Sequence, residues 1–482
     1  MRRALLVGIL CAAAVRLAAA APAAGGLKAE IDRLVDRPPF ASALWGIEVR
    51  SLKSGQLLYA RNADKNLKPA STFKLLTTAA ALDAFGPEAR LRTTLETAGR
   101  IDGLGRVLGD VFVVGRGDPD LSGRFANGRA TAAFEELADA LVAAGVRRIE
   151  GRLVGHEGLF KGERRGEDWS WGDLVWWYGA EVSALSFNDN CVDLHVGPGE
   201  RVGDPVVFEA TPPSSYYTIV STATTSAAGS KDDLTLERAA GANVIRLSGT
   251  FPLGQAATEL NVALEDPARW ATTVLAAVLA GKGVLVAGGI ATSSEPLPQG
   301  VHPLASHDSP PLSEILKGVN KPSQNLHAEM LLRLLGARLK GEGSLSAGQD
   351  ALKEFLRRSG FEPARAVLQD GSGLSRSDLV TAHDMVSLLA AMDRHRYAQV
   401  FRDSLPLAGV DGSLRYRMKG TPAEGRIQAK TGGLRNTAAL AGYATTRRGE
   451  RVAFAILVNH HTTNGREAAA LIDAVAQAVV EK

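Results

Sequence analysis

The sequence predicts an α/β fold of the α+β kind: one antiparallel sheet built from both chain ends, flanked by helices and interrupted by a large β-rich insert of one or two subdomains. Three observations carry this. LWGIEVRSLKSGQLLYARNADK (44–65) holds two alternating apolar runs around Lys53-Ser54-Gly55, and NTAALAGYATTRRGERVAFAILVNHH (436–461) repeats the pattern around Arg447-Arg448-Gly449. Alternation broken by a short polar turn marks a β-hairpin. Between these ends, Thr93 to Thr292 reads as short alternating runs (VLGDVFVVG, RLVGHEGLF, CVDLHVG, NVIRLSGTF) punctuated by Gly and Pro, with helical periodicity only near 131–145 and 267–282. Each hairpin has an apolar face that needs cover, and helices supply it.

Taken in chain order, residues 1–21 read as a secretory signal peptide. Arg2 and Arg3 form the basic end, Ala4 to Val15 the apolar run, and Ala20 or Ala21 the small residue at a cleavage site. The expected product is secreted and periplasmic. Arg16 interrupts the apolar run, and Cys11 lacks the small residue before it that a lipid-anchored chain would want. Losing Arg2, Arg3 and Arg16 leaves 52 basic against 52 acidic residues, so no nucleic acid partner is expected. Cys191 then has no internal disulfide partner and suits a small buried apolar role. With 482 residues, 45% apolar and 22% charged, the chain is globular, with two to four domains. No later apolar run reaches the roughly 18 residues of a membrane span. The last segment (464–482) is helical in pattern without a basic face, so membrane contact is at most peripheral.

The expected division is a catalytic domain in two parts, 27–92 and 301–482, around an insert at 93–300. SSEPLPQGVHPLASHDSPPLSE (293–314) reads as the linker that closes the insert.

In PASTFKLLTTAAALDAFG (69–86), Leu75, Leu76, Ala79, Ala80 and Leu82 recur at three- and four-residue spacing between Pro69 and Gly86, which predicts a helix. Residues three apart share a helix face, so Ser71 and Lys74 fall within hydrogen-bond reach, a nucleophile beside a base. This S-x-x-K is unique in the chain. Acyl-transfer chemistry also needs a second hydroxyl to relay a proton and a cation to hold the substrate's negative end.

Lys430-Thr431-Gly432, at the edge of the C-terminal hairpin, supplies the cation candidate. Lys53-Ser54-Gly55 has the same form but sits where a Ser-Gly turn is the ordinary explanation. Gly432 and Gly433 weaken a strand unless something must approach its backbone closely, as a substrate lying along the edge would. S-x-N occurs as Ser186-Phe187-Asn188 and as Ser323-Gln324-Asn325. The second opens a strong helical pattern after Pro322 and is preferred, although Ser323 alone would read as a plain helix cap. A lysine accepts a proton only when neutral, so burial and a like charge, such as Lys430, must lower Lys74 from its solution value.

S-x-x-K, S-x-N and K-T-G in that order is the motif set of penicillin-binding proteins and class A β-lactamases. The chain resembles D-alanyl-D-alanine carboxypeptidase/endopeptidases of the penicillin-binding-protein 4 type, a family with a large insert between the first two motifs. Here 252 residues separate Ser71 from Ser323, against 107 from Ser323 to Lys430. GRGDPDLS (115–122), WYGAEVSALSFNDN (177–190), LASHDSPPLSEIL with VNKPSQNLHAEMLL (304–332) and QDGSGLSR (369–376) carry the resemblance further. Departures are Arg116 within a run expected to be glycine only, Asp378 where asparagine is common, and Arg435 where some relatives carry glutamine.

The resemblance implies a β-lactamase/penicillin-binding-protein-like catalytic domain and a serine DD-peptidase acting on peptidoglycan stem peptides, with β-lactam antibiotics as covalent inhibitors and no cofactor or metal. Ser71 is implied as nucleophile, Lys74 as base, Ser323 as proton relay toward Lys74 and Lys430, and Asn325 as the group orienting Lys74 and the substrate amide. Lys430 and Thr431 would hold the terminal carboxylate beside Gly432, the N–H groups of Ser71 and Gly433 would bind the oxyanion, and Arg435 would border the substrate. Asp173, Tyr178 and Arg376 match positions that contact the stem peptide's diamino acid in some relatives. A homodimer, a β-lactamase-like hydrolase and a non-catalytic cell-wall-binding scaffold remain open here.

Overall fold

A computed structural model describes residues 26–482; the expected signal peptide lies outside the described residues. Both hairpins form and join one antiparallel sheet. The N-terminal pair is β1 (Leu44–Ser51) and β2 (Leu57–Arg61), and the C-terminal strands are β3 (Ile427–Leu434), β4 (Thr437–Thr445) and β5 (Arg451–Asn459). Their order is β2-β1-β5-β4-β3, so the two chain ends meet where β1 pairs with β5 and β3 is an edge. The central strands are covered on both faces, not one. Alternate residues of β5 split between two cores: Val452, Phe454, Ile456 and Val458 meet the helices Leu27–Val35 and Gly465–Glu481, while Ala453, Ala455 and Leu457 meet the opposite layer. This period-2 division explains why β4 and β5 read as nearly continuous apolar text.

The opposite layer contains α1 (Lys74–Phe85), α2 (Asn325–Lys340) and the helix Ala382–Asp393. In α1 every residue from Lys74 to Leu82 is buried. A helix enclosed on all sides over this stretch is a core helix, and Lys74 goes into the core with it.

The insert has its own five-stranded sheet, in the order Ile290–Ser293, Leu153–His156, Val111–Val114, Arg92–Thr97, His302–Asp308. Helices Ala132–Ala143 and Pro267–Gly281 pack on it, where the periodicity placed them, through Phe134, Leu137, Trp270 and Leu275. Two corrections follow. The segment expected as a linker contains the strand His302–Asp308, and this strand pairs with Arg92–Thr97 in the insert sheet, although 301–308 was expected in the catalytic domain. Pro303 disguises the strand, because proline cannot donate to a ladder; the register shift between Pro303 and Ala305 accommodates it. The insert thus leaves and rejoins the catalytic layer through two paired strands. Cys191 is buried and free, and no helix among the described residues is long and apolar enough to cross a membrane.

Candidate active site

Ser71 lies in a 3₁₀ turn, Ala70–Phe73, that runs into α1 with Lys74 as its first residue. Three residues per turn eclipses positions i and i+3, which suits this pair better than the α-helix expected from the sequence. Lys74 Nζ lies 2.8 Å from Ser71 Oγ, 2.6 Å from Asn325 Oδ1 and 2.8 Å from the Ser372 carbonyl. An ammonium would use all three donors here. A neutral amine has two N–H groups and a lone pair, and Ser71 O–H can donate to that lone pair.

Lys74 is completely buried. Burial pushes its amine down to about 7, and the carboxylates of Asp370, Glu329 and Asp378 keep it from falling further. The expected repulsion from Lys430 is not what lowers it. Lys430, also completely buried, is itself driven well below the usual lysine range, first by burial and then by the charge of Lys74. Among the described residues no carboxylate offsets these effects on Lys430.

Ser323 precedes α2 with a left-handed φ of 69°. It is not the helix cap: Gln324 is, its side chain accepting the Leu326 N–H. Released from capping, Ser323 Oγ accepts a hydrogen bond from Lys430 Nζ at 2.8 Å, and Lys430 also donates to the Thr431 carbonyl. Asn325, rather than Ser323, contacts Lys74, and its Nδ2 donates to the Tyr178 carbonyl at 2.7 Å. The insert therefore touches the second motif directly.

Edge strand β3 brings in the third motif. A Cβ on Gly432 would lie 2.6 Å from the Pro69 carbonyl oxygen, so what approaches that glycine is the chain's own turn before Ser71. Gly433 is open, with nothing within 4 Å of such a Cβ. Thr431 Oγ1 shares a hydrogen bond with Ser413 Oγ at 2.7 Å.

These elements border one cleft of about 710 Å³. Ser71, Ser323, Asn325, Thr431, Gly433 and Arg435 line it, and so do Asp173, Tyr178 and Arg376 from the opposite rim. Lys74, Lys430 and Gly432 lie behind these lining residues. Arg376 Nη1 donates to Asp173 Oδ2 at 2.8 Å, a charge of each sign on the rim. Burial and then Asp173 raise the Tyr178 phenol. The two rejected motif copies lie elsewhere: Lys53 is in the β1–β2 turn, and Ser186 Oγ, buried in the insert, donates to the Ser183 carbonyl.

Sequence reasoning missed Ser413, the Ser372 carbonyl, and the carboxylates of Glu329 and Asp370. Asp370 accepts N–H bonds from Ser372, Gly373 and Ser375 and from the Trp169 indole. The signal for the loop was the turn-rich DGSG run, whose Gly373 holds φ 77° against the Ala70 carbonyl.

A serine and a lysine at a buried helix start, faced by a Ser-Asn loop and a Lys-Thr-Gly edge strand, are the arrangement of the serine penicillin-binding class. The fold agrees: penicillin binding protein 4 (dacB) of Haemophilus influenzae is similar with a TM-score of 0.81 and 25% identity over 94% of this chain and 98% of that chain. The chain belongs to the D-Ala-D-Ala carboxypeptidase 3 (S13) family, matched over residues 27–479, and is a serine-type D-Ala-D-Ala carboxypeptidase. Its relatives include the D-alanyl-D-alanine carboxypeptidase of Actinomadura sp. (strain R39), 35% identical over 94% of this chain and 84% of that protein. D-alanyl-D-alanine carboxypeptidase DacB of Haemophilus influenzae is 28% identical over 88% and 86%. The scaffold alternative falls with this membership.

Proposed function

We propose that the chain is an exported DD-peptidase that cleaves peptidoglycan stem peptides, and the cross-links between them, through an acyl-enzyme on Ser71 that β-lactams trap. The observation that carries this is Lys74: completely buried, brought to about 7, and 2.8 Å from Ser71 Oγ. A base poised near neutrality next to a hydroxyl can take its proton as the bond to carbon forms.

In this reading Ser71 Oγ attacks the carbonyl of the penultimate D-alanine while its proton passes to Lys74. The N–H groups of Ser71 and Gly433 receive the oxyanion; one such donor is worth roughly 3–4 kcal/mol. Asn325 holds Lys74 from the far side. As the tetrahedral species collapses, the proton that Lys74 took passes by way of the Ser323 hydroxyl, held in place by Lys430, to the departing amine, and water later releases the acyl group. Lys430 and Thr431 receive the terminal carboxylate, and its arrival favours the ammonium form that burial alone disfavours. Gly432 lets β3 sit close enough for this. Asp173 and Arg376 face the ammonium and carboxylate at a diamino acid's free end, which is also the group left at a cleaved cross-link, and Arg435 borders the exit. Export rests on the signal pattern in residues 1–21.

Fluorescent penicillin and purified sacculi test this. A long-lived adduct is expected on Ser71, lost in Ser71→Ala, together with release of D-alanine and conversion of cross-linked dimers to monomers. Rapid turnover of the adduct would instead favour a β-lactamase, and undiminished digestion by Ser71→Ala would overturn the acyl-enzyme reading. A relative, penicillin binding protein 4 of Haemophilus influenzae, has been crystallised in complex with a β-lactam.

A further inference from the structure

Three consecutive residues of the insert, Asn188, Asp189 and Asn190, hold φ of 47°, 52° and 58°. Residues other than glycine visit this left-handed region singly, not in runs. Asparagine and aspartate tolerate it best, and neighbours hold the turn from several sides. Asn188 N–H donates to the Leu121 carbonyl at 2.8 Å, Asn190 Nδ2 to the Glu181 carbonyl at 2.7 Å, and Phe187 N–H to Asn190 Oδ1 at 3.1 Å. Strain kept in place so firmly points to a use.

The turn delivers Asp189 to the catalytic domain. Its Oδ1 meets His327 Nε2 at 2.8 Å, and its Oδ2 accepts from Arg124 at 2.5 Å. The His327 side chain is 1% exposed, and its Nδ1 has no partner. A carboxylate oxygen can only accept, so Nε2 carries a proton that faces Asp189. His327 lies in the first turn of α2, two residues beyond Asn325, which bonds both Lys74 and the Tyr178 carbonyl. Ser323, two residues before Asn325, is itself left-handed, so its own backbone preference does not hold it where Lys430 meets it.

We propose that Asp189, acting through His327, is a positioning residue of the reaction: the left-handed turn sets a fixed carboxylate against the start of α2 and so holds Asn325 and Ser323 in register with Lys74 and Lys430. This rests on the Ser71 acylation reading, and the two fail separately. Loss of labelling in Ser71→Ala tests that reading alone.

The experiment compares Asp189→Gly, which removes the carboxylate but keeps a left-handed backbone accessible, with Asp189→Asn, which keeps the shape and an acceptor for His327. Competent sites are counted by the end-point of labelling with fluorescent penicillin, and the acylation rate per site is then measured beside kcat and KM for D-alanine release. Asp189→Gly should acylate roughly tenfold to a hundredfold more slowly per site, the scale of a small misplacement of reacting groups. KM should stay near that of the native enzyme, and Asp189→Asn should recover most of the rate. If Asp189→Gly does not fold, His327→Ala, which leaves the turn untouched, should show the same slowing. Native acylation rates per site in Asp189→Gly or in His327→Ala, or a loss confined to KM or to the number of competent sites, would overturn the proposal.

Discussion

Gly432→Ala isolates one steric contact at the centre of the site. The added Cβ would meet the Pro69 carbonyl oxygen at 2.6 Å and the Cβ atoms of Ala70 and Ala439 at 3.2 Å, where ordinary contact starts at 3.4 Å. The oxygen cannot simply swing away, because it accepts hydrogen bonds from Thr72 N–H at 3.3 Å and Thr72 Oγ1 at 2.7 Å. The 69–71 turn and β3 must therefore part by about 0.8 Å, the difference between 3.4 and 2.6 Å. Overpacking of this kind costs about 1–3 kcal/mol of stability. The larger effect is expected on the rate, since the turn carries the Ser71 N–H and β3 the Gly433 N–H, the two oxyanion donors of the proposed mechanism. Oxyanion donors act within a window of only a few tenths of an ångström, and misplacing one approaches the loss of a donor, on the order of a hundredfold. Stopped-flow acylation by a fluorescent penicillin and D-alanine release measure this directly, with a thermal melt alongside. Gly433→Ala, with empty space around its Cβ, should leave Tm unchanged. Acylation of Gly432→Ala at the native rate, whatever its Tm, would refute the claim that this close approach aligns the two donors.

In the proposed mechanism Lys74 acts as the neutral amine, and with its value lowered to about 7 the acylation rate should rise with pH through about 7 and be lost below it. Glu329→Gln removes one of the carboxylates that hold that value up, so a stopped-flow pH profile should move its acid limb to lower pH; movement to higher pH would contradict the assignment. Asp378 accepts the Gln369 N–H on Oδ1, has a buried Oδ2 without a partner, and is pushed well above the carboxylate range by burial and then by Asp370. That direction favours its neutral form, so Asp378→Asn, which keeps an acceptor for the Gln369 N–H, should leave Tm near the native value, whereas a large loss would mean that the group is charged. His307 bridges Asp120 and Glu136; burial alone would lower it, but the hydrogen bonds to those two carboxylates and the charge of Asp118 raise it from 6.5 to about 9. A raised value favours the folded protein fully below about pH 6.5 and loses that contribution as pH climbs through about 9. Thermal melts across this window should fall, and His307→Asn should flatten the decline.

Much of the catalytic layer was legible because its signals are local. The hairpins declared themselves through alternation and turns at Lys53-Ser54-Gly55 and Arg447-Arg448-Gly449, and the helices of the insert through periodicity at 131–145 and 267–282. The strand His302–Asp308 was hidden, because its pairing partner, Arg92–Thr97, lies about 200 residues earlier and its own text carries a proline. Ser323 looked like a helix cap because Pro322 precedes it and a helical pattern follows. Its left-handed backbone and the cap at Gln324 depend on the packing around α2.

The amino-acid sequence by itself determined the order of the three motifs and the spacing that puts Ser71 and Lys74 on one turn, since both are properties of a few covalently linked residues. Only the tertiary structure decided what those groups are chemically. Complete burial lowers Lys74 to about 7 against the opposing pull of carboxylates at 329, 370 and 378, and its other hydrogen-bond partners lie 251 and 298 residues away. Desolvation and electrostatic fields act through space, so the protonation state of a lysine follows from what surrounds it and not from its neighbours along the chain.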